Sequence, residues 1–137
     1  MKVKPIWWAV MLILGLSACD TTVPALEDKV LAIHDEIMPA VHEQLPKLRK
    51  SLSQKLDDSK QMEQVDTALV EKYYRAVQEL DAADEAMMDW MKNYRVGELK
   101  QMDHAAATAY LTDQLAQITS IKTRTLAAIK QAEALIQ

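Results

Sequence analysis

A chain of 137 residues is long enough for one ordinary domain around a single core and too short for two. Acidic residues outnumber basic ones, 20 against 16, and a formal charge of -4 repels phosphates, so nucleic acid is not an expected partner. One cysteine and two glycines leave no disulfide, no sulfur-rich zinc site, no glycine-built phosphate loop and no nucleophile elbow.

At the amino terminus Lys2 and Lys4 precede an apolar run from Ile6 to Leu16. A short positive region, an apolar segment and small residues before a cut describe a secretory signal peptide. The 11 residues from Ile6 to Leu16 are too few to cross a bilayer, which takes roughly 17 to 25. The run Leu16-Ser17-Ala18-Cys19 resembles a bacterial lipobox. That resemblance implies cleavage before Cys19, a thioether diacylglycerol with palmitate-type chains on its sulfur, and a lipoprotein anchored in the cell envelope, facing the periplasm. Asp20 resembles the residue that retains such proteins in the inner membrane. Residues 1–18 are then signal peptide, 19–23 a lipidated tether and 24–137 the domain. Losing Lys2 and Lys4 with the signal leaves 14 basic against 20 acidic residues, a net charge of -6.

The domain is rich in Leu, Ala, Ile, Val and Met and has no Phe, a helical palette with few strand formers. Leu26, Val30, Ile33, Ile37, Val41, Leu45, Leu48, Leu52 and Leu56 recur at steps of three and four, predicting a first helix over about 25–56 with Pro24 in its opening turn. Pro39 and Pro46 fall on the opposite face and should bend this helix without exposing its core. Asp57 to Ser59 reads as the turn. A second helix over about 60–95 carries Met62, Leu69, Tyr73, Val77, Leu80, Met87, Met88, Met91 and Tyr94, with Gly97 as terminator. Asp103 caps a third helix over about 104–136, whose stripe runs Leu111, Leu115, Ile118, Ile121, Thr125, Ile129, Ala132 and Ile136. Short connections make sequential helices antiparallel, so the expected fold is all-α, an up-down-up three-helix bundle.

Polar residues inside the stripes are the candidate sites. Centring the first turn near Ser59 sets His34 opposite Asp84, with Met38, Met87 and Met88 around them and Gln114 at a similar height. Structurally such a pair is a satisfied polar network that fixes helix register. As an alternative, His34, Met38, Asp84, Met87, Met88 and Met91 offer imidazole, thioether and carboxylate near one level, a donor set that suits copper. His42 and His104 read as surface residues. Trp90 falls off the stripe of the second helix and is the candidate anchor for a protein partner. The basic patch of Lys47, Arg49, Lys50 and Lys55 reads as a solvated face.

The runs Ile33-His34-Asp35-Glu36-Ile37-Met38-Pro39 and Ala83-Asp84-Glu85-Ala86-Met87-Met88-Asp89-Trp90-Met91 resemble small uncharacterised bacterial lipoproteins of helical-bundle type, Bacteroidetes-like and sometimes labelled viral A-type inclusion proteins. The resemblance implies a helical lipoprotein and supplies no catalytic residues. The residues themselves show no activated nucleophile and no carboxylate pair that can be placed. The expectation is a non-enzymatic interaction or accessory module of the cell envelope, with the membrane and an envelope protein as partners, no small-molecule substrate and no cofactor beyond the lipid on Cys19. Copper binding is the alternative.

Overall fold

The structure, a computed structural model, describes residues 22–137; the signal segment and Cys19 lie outside the described residues. The fold is an all-α bundle of three long rods, the first of them bent. The first rod comprises α1 (Val23–Pro39), a single π turn (Ala40–Gln44) and α2 (Leu45–Lys60). The second is α3 (Thr67–Asn93) and the third α4 (His104–Ile136), reached through a short 3-10 turn at Leu99–Gln101.

Local chemistry sets these boundaries. Thr22 caps α1 ahead of Pro24, whose missing N–H has no intrahelical role in the first turn. Asp66 opens α3 by accepting from the N–H groups of Ala68 and Leu69, and Asp103 opens α4 by accepting from Ala106 N–H at 2.8 Å. The α3 helix does not end through Gly97, because no glycine has positive φ among the described residues. Tyr94 turns extended instead, and the N–H of Arg95 donates to the Tyr110 hydroxyl at 2.8 Å.

The two prolines do bend the first rod, and the form of the bend is informative. Pro46 has no N–H for the carbonyl four residues back, and its ring crowds that carbonyl. The backbone therefore widens by one residue, and Leu45 N–H donates to the Ala40 carbonyl, five residues back. Both prolines face solvent while Ala40, Val41 and Leu45 are buried, so the core continues through the bend. Below the bend α1 packs on α4, and above it α2 packs on α3 and, less extensively, on α4. Glu36 and Lys122 join α1 to α4 at 2.6 Å.

The core draws on every rod: Val30, Ile37, Leu45 and Leu52 from the first, Tyr73, Ala76, Leu80, Ala83, Met87 and Trp90 from α3, and Leu111, Ile118, Ile129 and Ala132 from α4. The expected stripes of the first and third rods hold. The α3 stripe is rotated from its expected position. Ala76, Ala83 and Trp90 are inside it, whereas Met62 and Met88 are 61% and 52% exposed.

Candidate functional site

At the end of the bundle that carries the start of α1, the end of α3 and the start of α4, four rings form a ladder. His34 lies 5.6 Å from Trp90 between centroids, Trp90 4.9 Å from Tyr94, and Tyr94 6.1 Å from Tyr110, each pair inclined by about 30°. The Arg95 guanidinium sits 5.5 Å over the Tyr110 ring and closes the ladder with a cation–π contact. The rings are here because the backbones of α1 and α3 scarcely approach one another below the bend, which leaves a gap that only large side chains fill.

Beside the ladder is a cleft of about 130 Å³ lined by Leu31, His34, Trp90, Met91, Tyr94 and Val96. Its lining is mostly apolar, but two polar atoms on its residues lack partners. The Trp90 indole N–H and the Tyr94 hydroxyl are both buried with no hydrogen-bond partner. Burial of the Tyr94 hydroxyl, reinforced by the negative charge of Glu27 and by Tyr110, pushes its pKa from 10.0 up to about 12. The His34 ring donates from Nδ1 to Asp35 at 2.9 Å, since an ionised carboxylate can only accept.

The expected sites are rearranged accordingly. Trp90 is only 6% exposed and stacked in the ladder, which corrects its placement as an outward-facing anchor. Asp84 does not face His34. It accepts from Arg49 of α2 at 3.3 Å, and Arg49 also pairs with Asp81 one turn away. The cause is the position of the hairpin. Asp57, Asp58 and Ser59 remain helical, and the turn lies between Lys60 and Thr67, so the residue across from His34 moves from Asp84 to Trp90. Of the six residues grouped as metal donors, His34 and Met91 line one cleft, Met87 is fully buried, Met38 is half-buried, and Met88 and Asp84 lie elsewhere. Among the described residues no group of three or more His, Cys, Asp or Glu side chains is placed to hold a metal ion.

Tyr94 and Tyr110 are the site residues that sequence reasoning did not single out. The signal available was the spacing of Trp90 and Tyr94, four residues apart and therefore stacked on one helix face. Gln114, expected only at the height of the His34 level, is buried in α4. No protein-family model, curated protein or solved structure matches this chain.

Proposed function

We propose that this chain is a lipid-anchored lipoprotein of the cell envelope, working as a non-enzymatic interaction or accessory module. The observation that carries the reading is the run Leu16-Ser17-Ala18-Cys19 behind a charged-then-apolar amino terminus. Two features of the described residues support it. The α1 cap, Thr22, is the third residue after Cys19, so anchor and folded domain are nearly contiguous. No helix among the described residues is long and apolar enough to cross a membrane, so attachment at Cys19 would be the means of holding the bundle at a bilayer. Asp20 favours the inner membrane on this reading.

The test is Cys19→Ser in the native host. The wild type should stay in the membrane fraction after alkaline extraction and carry a lipid-sized mass increment, and the variant should lose both. Equal fractionation with no lipid on the wild type would reject the reading.

Copper binding remains as a second reading in a narrower form, because His34 and Met91 line the same cleft. Added copper should then raise the melting temperature of the wild type and not of His34→Ala. Equal shifts in the two proteins would dismiss it.

A further inference from the structure

Leu31 on α1 and Val96 just past α3 are 38% and 57% exposed, and both line the cleft beside the ring ladder. Val96 is held in this exposed place by its neighbours. Tyr94 is stacked in the ladder, Arg95 N–H donates to the Tyr110 hydroxyl and Leu99 is buried, while a side chain at Gly97 would meet nothing within 4 Å. A fixed loop that presents an aliphatic side chain to water forgoes the gain of burying it. Charges of both signs border the strip. Glu27 and Asp35 stand one turn to either side of Leu31 on the same helix face. Lys92 and Lys100, before and after Val96, are exposed and in no ion pair among the described residues, whereas Arg95 is paired with Glu98. An apolar strip with carboxylates on one side and ammonium groups on the other matches a zwitterionic lipid surface, whose headgroups offer both signs above their acyl chains.

Reach selects a bilayer as the occupant. Whatever path the backbone takes, Cys19 lies within roughly 10 Å of Thr22, because that is all the intervening chain can span. Leu31 lies about 13 Å along the helix axis from Thr22. The hairpin that carries the exposed Met62 is separated from Val96 by the 27 residues of α3, about 40 Å of helix. A bilayer that holds the lipid is therefore within reach of Leu31 and Val96, while Met62 sits at the far end. A surface tethered so close is also presented at a high effective concentration, so a strip too small to bind membrane alone suffices to orient the bundle. We propose that Leu31 and Val96, with Lys92 and Lys100 beside them, form the face that the anchored bundle lays on a zwitterionic bilayer, an inference that rests on the lipoprotein reading above.

The test uses the full chain from a lipidating bacterial host, reconstituted in vesicles of phosphatidylethanolamine and phosphatidylcholine. Cys19 is the only cysteine, so once it is acylated Val96→Cys or Met62→Cys supplies the one free thiol for an environment-sensitive fluorophore, each at an exposed position. Lipids brominated in their acyl chains should quench a label at position 96 severalfold more than one at position 62. Emission at position 96 should also move to the blue by several nanometres on reconstitution. Leu31→Glu should lower the quenching at position 96 severalfold while helix content, followed by circular dichroism, stays unchanged. Mass spectrometry of the same samples separates two failures. Absence of lipid overturns the lipoprotein reading and this inference with it. On a protein shown to be lipidated, quenching no stronger at position 96 than at position 62, or quenching that Leu31→Glu leaves intact, overturns the membrane face alone.

Discussion

Above the proline bend the first rod and α3 lie close, with Leu45, Leu52 and Leu56 buried on one and Tyr73, Ala76, Leu80 and Ala83 on the other. Below it α1 has turned toward α4, and His34, Trp90, Tyr94 and Tyr110 fill the space that opens toward α3. One apolar repeat runs through both halves of the first rod. What differs is the width of the gap it must fill. Alanines suit a narrow gap and leave no polar atoms behind. Rings suit a wide one, but they bring the Trp90 N–H and the Tyr94 hydroxyl into places without acceptors. The widened end is therefore where rings line a cleft and two of their polar atoms lack partners.

The largest expected effect comes from emptying the wide gap. Trp90→Ala should destabilise the bundle by about 3 to 5 kcal/mol, within the range of Leu52→Ala above the bend at about 2 to 5 kcal/mol. Chemical denaturation followed by circular dichroism measures both. Trp90→Phe keeps a ring in the ladder and gives up an N–H that bonds nothing, so its effect should stay below about 1.5 kcal/mol. A Trp90→Ala variant as stable as the wild type would mean that the indole faces solvent and that α3 is rotated back to its sequence-expected position.

Tyr94 tests the same contrast through its hydroxyl. Its pKa is raised from 10.0 to about 12, so the folded state favours the protonated phenol more than the unfolded chain does. The stability this provides is complete below pH 10 and is lost as pH rises from there toward 12. Tyr94→Phe should flatten that alkaline decline and, by deleting an unpartnered buried hydroxyl, leave stability at neutral pH unchanged or raised by up to about 1 kcal/mol. Ultraviolet difference titration checks the first expectation, and denaturation at neutral pH the second. Thr125 is the corresponding case within α4, fully buried with no partner for its hydroxyl. Thr125→Val should move stability in the same direction as Tyr94→Phe.

How much of this was readable in the sequence depended on which physical signal carried it. Helix number and the stripes of the first and third rods follow from periodicity in large aliphatic residues, and the helix starts at Pro24 and Asp103 from first-turn and capping chemistry, all of which are local properties. The α3 stripe was misread because Ala76 and Ala83 carry little hydropathy but occupy the buried face, while Met62 and Met88 carry more and lie outside it. The His34 partner was misread for a different reason. Asp57, Asp58 and Ser59 look like a turn, yet tertiary packing keeps them helical and buries Ser59. A few residues of slip at the hairpin propagate along two antiparallel rods and change every facing pair. Gap width, which selects rings over alanines, depends on the proline bend acting at a distance and has no local signature.

The smallest expected effects decide that register. Arg49 reaches from α2 to Asp81 and Asp84 on successive turns of α3, and its side chain and theirs are between about a third and a half exposed. Pairs in such a setting contribute roughly 0.2 to 1 kcal/mol, and salt screens them. Arg49→Ala should therefore weaken the bundle by under about 1 kcal/mol at low salt and by less at high salt. The double-mutant cycle is more telling than either single change. Arg49 and Asp84 share an ion pair, so Arg49→Ala and Asp84→Asn should couple by a few tenths of a kcal/mol or more, whereas His34→Ala and Asp84→Asn should add independently, as do sites with no shared partner. Coupling between His34 and Asp84 in place of Arg49 and Asp84 would move the hairpin back toward Ser59. It would also take Trp90 out of the ladder, and the cleft with it.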